Sequence, residues 1–364
     1  MMFPIVVNRG SATHKRHMLV LAVIVLALLV LVAFMLPEYQ VGRVNRLWAM
    51  AIAIIGLNLV LGYGGLFALG HSAFIGLGAF ITAWLVEDMR FDHWQAIPFS
   101  MAATFAFGSL LALPALRIKG LYLVVITIAV AVVFPSLAKI DKFGIAEATG
   151  GANGRKISEE VVPTGIGKAL GFTELEAARY RYFLILAMVI VVVFAVRNLL
   201  NSRSGRAIIA IRDNETGAAV SGVNLLKSKV FTFGTSAALC GLAGTILALD
   251  KSFVAEQDFL FPLAVEMLVG LVIGGVATLG GAFVGAFVIV FVKEFSKNVN
   301  IDLGLFVLDG NGPFSALIFG VILIIVTFVM PRGIVGSLKP WFVQKVYRID
   351  PTPPELPDTL QRLS

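Results

Sequence analysis

Apolar runs recur along the chain at residues 18–36, 46–61, 66–86, 96–114, 120–138, 182–200, 229–249, 263–297 and 313–331, with charged residues gathered between them. At about 1.5 Å per residue, some twenty helical residues cover the roughly 30 Å hydrocarbon core of a bilayer. Lipid offers the backbone no hydrogen-bond partner, so each run is expected to be helical. The pattern therefore predicts an all-α, polytopic membrane protein with about ten transmembrane or broken helices.

Composition agrees with this pattern. Of 364 residues, 58% are hydrophobic and 14% charged, and the mean hydropathy is +0.92. A water-facing globular surface cannot be built from that balance. The first run follows Arg9, Lys15 and Arg16 but ends in AFMLPEYQ without a small-x-small cleavage site, and reads as a retained anchor. The one cysteine, Cys240, sits inside an apolar run, so neither a disulfide nor a metal framework is expected.

Charge sets the expected orientation. With the basic N-terminus in the cytoplasm, alternate crossings place Arg117 and Lys119 inside, together with Arg197, Arg203, Arg206, Arg212, Lys227 and Lys229. The opposite loops carry Glu87, Asp88 and Asp92, then Glu147, Glu159, Glu160, Glu174 and Glu176, then Asp250, Glu256 and Asp258. A C-terminal tail with Arg332, Lys339, Lys345 and Arg348 is also expected inside, which requires residues 263–297 to cross twice or to dip and return. Gly274, Gly275, Gly280 and Gly281 supply a break there, around Ala277 and Thr278. The expected organisation is a cytoplasmic N-terminus (1–17), a transmembrane domain (18–336) with an external loop (139–181) and a cytoplasmic loop (201–228), and a cytoplasmic tail (337–364). Within the tail, PTPPELPD reads as disordered. The net charge of +7 is then a matter of topology and lipid contact, not of nucleic-acid binding.

Two glycine-rich apolar segments are candidates for a translocation path. LNLVLGYGGLFALGHSAFIGLGAF (57–80) carries Gly62, Tyr63, Gly65, Gly70 and His71. Each glycine costs about 1 kcal/mol relative to alanine inside an ordinary helix, so either close helix packing or a discontinuous helix must offset it. LVGLVIGGVATLGGAFVGAF carries Gly274, Gly275 and Gly280, and its LGGAFVGAF echoes the first segment, as an internal repeat or by chance. His71 and Glu266 are the ionisable side chains nearest these spans. His71 is either a neutral imidazole bonded to a nearby carbonyl or a solute contact; Glu266 is either a solvated helix start or a solute contact. In the long external loop, TGGANGR offers Thr149, Gly150, Gly151 and Asn153 as a partner-recognising turn or as plain surface turns.

Between two spanning runs lies GRAIIAIRDNETGAAVSGVN, Gly205–Asn224, a polar segment wedged between apolar ones. Ala207, Ile208, Ala210, Ile211, Ala218 and Ala219 give it an apolar patch beside the RDNE group, which suits either a docking element or a helix lying among lipid headgroups. GxxxxGK[ST], HExxH, GxSxG with triad partners and clustered metal ligands are all absent from the sequence, so no catalytic residues are proposed.

The same segment resembles the cytoplasmic hallmark region of permeases of the branched-chain amino acid (LivM-type) ABC importer family. GLNLVLGYGGLFALGHSAFIGLGAF, LRIKGLYLVVITIA, TGGANG, LVIGGVATLGGAFVGA and PRGIVG resemble that family in order, over roughly residues 45–336. The resemblance implies a subunit of the bacterial inner membrane that works with a homologous LivH-type permease, two ATPase subunits and an extracytoplasmic binding protein. ATP and Mg²⁺ would sit on the ATPase subunits, with no cofactor in this chain and no enzymatic activity of its own. The implied coupling helix comprises Gly205, Arg206, Ala207, Arg212, Asp213, Asn214, Glu215, Ala218 and Gly222. The expected cargo is Leu, Ile or Val; urea, short amides or aromatic acids are the alternatives within the family group. A channel or secondary transporter working without ATP is the reading from a different class.

Overall fold

The computed structural model describes residues 27–115, 121–141, 144–157, 177–251 and 253–297, with short stretches at 5–6, 301–302, 307–308, 320–321, 324, 328–330, 333–337 and 347–348. The apolar runs at 18–26 and 313–319, the loop at 158–176 and the PTPPELPD tail lie outside the described residues. The chain divides into a unit of Leu36–Val335 and a second unit of Met1–Met35 with Gly336–Ser364. In the second unit, Ile5–Val6 pairs in parallel with Tyr347–Arg348, and residues 27–35 are helical.

The described residues of the first unit are mostly helical. Its elements are α1 (Glu38–Asn58), α2 (His71–Glu87), α3 (His93–Ala115), α4 (Leu121–Leu137), α5 (Ile145–Thr149) and α6 (Ala177–Asn201). They are followed by α7 (Arg203–Asp213), α8 (Glu215–Val220), α9 (Leu225–Lys251), α10 (Phe261–Gly274), α11 (Leu279–Phe287) and α12 (Lys293–Lys297). Among the described residues, five helical segments are long and apolar enough to cross a membrane: Gln40–Tyr63, His93–Leu113, Ala177–Asn201, Leu225–Lys251 and Glu256–Gly274. Outward faces carry apolar side chains such as Leu110, Val125, Val132, Val191 and Phe194. Such a surface is a liability in water and unremarkable in lipid.

The core forms around α9, which packs against α1, α2 and α3. Lipid is as apolar as leucine, so helices in a membrane hold together through close fit and polar contacts rather than hydrophobic expulsion. Small residues supply the fit. A Cβ at Gly78 would overlap the backbone of Gly241, so α2 and α9 touch main chain to main chain. Hydroxyls supply the polar contacts: Thr82 Oγ1 meets Thr245 Oγ1 at 2.8 Å, Thr245 donates to Ser100 Oγ at 3.0 Å, and Ser100 donates to Gly78 O at 3.1 Å. Interhelical hydrogen bonds of this kind contribute about 0.6 kcal/mol each on average.

The run at 263–297 is a helical hairpin. Glu266 of α10 and Lys293 of α12 form an ion pair, so the chain returns to the level from which it set out. At the end of the bundle where α2 finishes, Arg155–Lys156 pairs antiparallel with Phe253–Val254. There Arg155 binds the carbonyls of Glu147 and Ala148 at 2.6 and 2.7 Å and forms an ion pair with Asp88.

Candidate coupling and translocation site

The polar segment folds as two short helices. Ser202 Oγ accepts from Gly205 N at 3.3 Å and starts α7, and Asn214 Oδ1 accepts from Gly217 N at 2.8 Å and starts α8. Both are N-cap contacts that satisfy otherwise orphaned amides. Asn214 itself is extended (φ −157°), which turns the chain between the two helices. Gly205, Ile208, Ile211 and Ala218 are buried, whereas Arg206, Asp213 and Gly222 are exposed and Ala207 is intermediate. The visible face of α8 is a ridge of Thr216, Gly217, Ala219, Val220 and Ser221, with Val220 85% exposed. Lys229 Nζ donates to Glu215 Oε1 at 2.8 Å, fastening α8 to the first turns of α9.

Arg212 links this pair of helices to the bundle. Its Nε donates to Asp213 Oδ1 at 2.9 Å and its Nη1 to Gly62 O at 3.2 Å. Gly62 lies in a π-helical turn, Leu59–Tyr63, that ends α1 and widens the helix at this point. The chain then leaves the helix through Gly65, whose φ of +65° suits glycine and at which a Cβ would stand 2.6 Å from Arg212 Cγ. Tyr63 is half-buried near Arg212. Gly70 precedes α2, and the amide of Leu69 donates to Thr127 Oγ1 of α4 at 3.0 Å.

A second break docks onto the first. Between α10 and α11 the chain passes through Gly275 (φ +121°) and Ala277 (φ +57°). Asn58, fully buried one residue before the π-turn, accepts from Ala277 N at 2.9 Å and donates to Thr278 O at 3.0 Å. Gly333, from PRGIVG, packs its backbone on Gly275, and Val335 approaches Gly280. Thus Gly62, Tyr63, Gly65, Gly274, Gly275, Gly280 and Arg212 converge with Asn58 and Gly333 at one end of the bundle. Asn58 is absent from the expected residues, although a carboxamide inside an apolar run is itself a signal.

The other candidates lie elsewhere. His71 is buried, and its Nε2 lies 2.9 Å from Ser236 Oγ. That hydroxyl donates to Gly56 O at 2.6 Å, so the imidazole Nε2–H is the donor to Ser236. His71 therefore joins α2, α9 and α1 inside the core. Glu266 lies at the opposite end of the hairpin, paired with Lys293. Thr149 Oγ1 donates to Ala138 O at 2.6 Å, while Gly150 and Gly151 take left-handed conformations and leave Asn153 exposed at the surface.

Among the described residues, no group of three or more His, Cys, Asp or Glu could hold a metal ion. A bundle of membrane-spanning helices, two broken helices in contact and a polar helix pair mounted on them define a multi-pass membrane protein. The family described as the permease component of the branched-chain amino acid transport system matches residues 41–327, and the chain belongs to that family. It is 27% identical over 348 residues to the high-affinity branched-chain amino acid transport system permease protein LivM of Salmonella typhimurium and, equally, to that of Escherichia coli K12; each alignment covers 91% of this chain and 77% of the relative. A probable branched-chain amino acid transport permease protein LivM of Methanocaldococcus jannaschii is 22% identical over 320 residues, covering 78% of this chain and 89% of the relative. No solved structure matches the chain.

Proposed function

We propose that this chain is one permease of an ATP-driven importer that passes leucine, isoleucine or valine from an extracytoplasmic binding protein into the cytoplasm. It would sit in a bacterial inner membrane with both termini in the cytoplasm, beside a LivH-type permease and above two ATPase subunits that carry ATP and Mg²⁺. The observation that carries this reading is the Arg212–Gly62 bond, which mounts the α7–α8 pair on the π-turn of α1. The ridge of small residues on α8, with Val220 at its tip, suits insertion into a cleft on an ATPase. Movement of α8 would be felt at Gly62, and through Asn58 at the Ala277–Thr278 break. The TGGANG turn at the far end, with Asn153 exposed, suits contact with the binding protein.

The test is reconstitution of the complex in liposomes with candidate binding proteins loaded with leucine, urea or an aromatic acid. Leucine-dependent ATP hydrolysis and uptake are expected. Stimulation by urea or an aromatic acid alone would replace the cargo. Uptake without any co-purifying ATPase would replace the class with an ATP-independent carrier.

A further inference from the structure

A cavity of about 160 Å³ opens between α1, α10 and the second π-helical turn, Val288–Val292, that joins α11 to α12. Typical drug-sized sites run to roughly 300–1,000 Å³, so this one suits a small solute. Its charged lining is mixed: Arg43, Arg46, Glu266, Lys293 and Glu294. Its apolar wall includes Met50, Leu263 and Ile289. Two ion pairs border it, Arg43–Glu294 at 3.1 Å and Lys293–Glu266. Arg46 also lines an adjoining pocket of about 30 Å³ beside Lys251 and Asp258.

We propose that this cavity is an entry site for a zwitterionic α-amino acid, with the carboxylate held by Arg43 and Arg46, the ammonium by Glu266, and an aliphatic side chain against Met50, Leu263 and Ile289. The inference rests on the importer reading and names a substrate site for it. Three features support it. Both signs of charge face one small volume that also has an apolar wall, which is the pattern of an amino acid's own surface. The two resident ion pairs account for Arg43, Glu294, Lys293 and Glu266 and leave Arg46 as a positive excess in the lining, which favours the carboxylate end of a zwitterion, while a zwitterion's own opposite charges leave the overall balance unchanged. The position also fits: Arg43 precedes Gly62 by 19 residues on one helix, about 28 Å along its axis. The cavity thus lies one bilayer thickness from the α7–α8 end, where an arriving solute would enter. A π-turn in its wall is a further mark of functional sites in helices.

The experiment is equilibrium binding of radiolabelled leucine to the complete detergent-solubilised complex without binding protein, alongside uptake by the complete complex with it. Saturable binding is expected, at least tenfold weaker for 4-methylpentanoate and isoamylamine, which each lack one charge. Arg46→Gln and the cavity-filling Met50→Trp should each weaken binding at least tenfold, with Arg46→Lys recovering most of the loss; all must assemble with the ATPases. Equal binding in wild type and both variants, equal affinity for a singly charged analogue, or no saturable binding would overturn the site. If leucine is taken up normally by Met50→Trp, the site falls and the importer reading stands. If leucine binds in a variant-sensitive way but is not imported, the branched-chain reading falls and the site stands.

Discussion

Arg212 on α7 donates through Nη1 to the carbonyl of Gly62 at 3.2 Å, joining residues 150 positions apart in sequence. Gly62 lies in the last turn of its helix, where carbonyls have no intrahelical partner, so its oxygen is open to a side chain. An arginine that also holds Asp213 reaches it with a second nitrogen, so the guanidinium is fixed at two points. The α7–α8 pair is therefore attached to the membrane-spanning bundle by a directional contact as well as by the apolar burial of Ile208 and Ile211.

Replacing Arg212 with alanine is expected to leave the complex assembled but to lower solute imported per ATP hydrolysed at least fivefold. Arg212→Lys should fall between, since one ammonium can reach Gly62 O but cannot also present the planar fork to Asp213. Parallel measurement of uptake and phosphate release in liposomes decides it. An unchanged ratio in Arg212→Ala would refute the role of this contact.

Asn58→Leu should be more damaging, because it leaves the amide of Ala277 and the carbonyl of Thr278, both half-buried, without their side-chain partner. Each stranded group costs about 1–3 kcal/mol. The complex should melt at a lower temperature and import should drop sharply. Protonated Asn58→Asp keeps an acceptor for Ala277 N and an O–H donor for Thr278 O, so at low pH its thermal shift should be the smaller of the two, and it should grow as rising pH ionises the carboxyl and removes the donor. A Tm equal to wild type for Asn58→Leu would show that the second break is not held by this side chain.

Gly65→Ala tests the approach from the other side. A left-handed conformation costs a non-glycine residue roughly 1–2 kcal/mol, and the new methyl would stand 2.6 Å from Arg212 Cγ. The turn and the arginine cannot both stay in place. Coupling should weaken as in Arg212→Ala, and combining the two substitutions should do little more than either, since both act at one contact. Additive losses would mean that they act independently.

The Lys229–Glu215 pair is 2.8 Å long, with Lys229 nearly buried and Glu215 39% exposed. Solvent screening of the glutamate keeps the expected pair energy to about 1 kcal/mol or less. Glu215→Gln alone should cost more coupling than Lys229→Met alone, because it leaves the nearly buried ammonium of Lys229 without its carboxylate, whereas methionine keeps the packing of the lysine stem and leaves Glu215 to solvent. A double-mutant cycle on the import-to-hydrolysis ratio should show an interaction of that size; a zero interaction would show that this pair does not fasten α8 to α9.

Much of this was legible in the sequence at the level of elements. Among the described residues the apolar runs gave five helices long enough to span and the shorter His71–Glu87 and Leu123–Leu137, and the density of glycines at 62–70 and 274–281 marked both breaks, because glycine is tolerated there for the turns and the close backbone contacts. The junction between the breaks was not legible. Asn58 is one polar residue in LNLVLG, and its partners lie 219 and 220 residues away, a pairing that helical period does not encode. His71 and Glu266 stand out together in the sequence as ionisable groups near glycine-rich spans, yet the fold separates them, one to Ser236 in the core and the other to Lys293 at the hairpin base. Spacing fixes the face a side chain occupies on its helix but not which helix covers that face.

The proposed orientation is open to a direct test because the chain has a single cysteine. Cys240 is fully buried, and its thiol contacts Ala53 O at 3.7 Å. Cys240→Ala removes one sulfur from a small-residue face and should cost no more than about 1–2 kcal/mol, on the scale of a small core truncation. In that background, Asn153→Cys places a thiol on the exposed TGGANG turn, and Ser221→Cys places one on the exposed ridge of α8 without disturbing a left-handed residue. A membrane-impermeant maleimide added to intact cells should label Asn153→Cys and spare Ser221→Cys, and the second should label only after the membrane is opened. Assembly with the ATPases should protect Ser221→Cys even then, because the ridge of α8 would be covered. The reverse pattern in intact cells would invert the topology, and with it the assignment of α7–α8 to the ATPase side; labelling that ATPases leave unchanged would detach the coupling reading from this ridge.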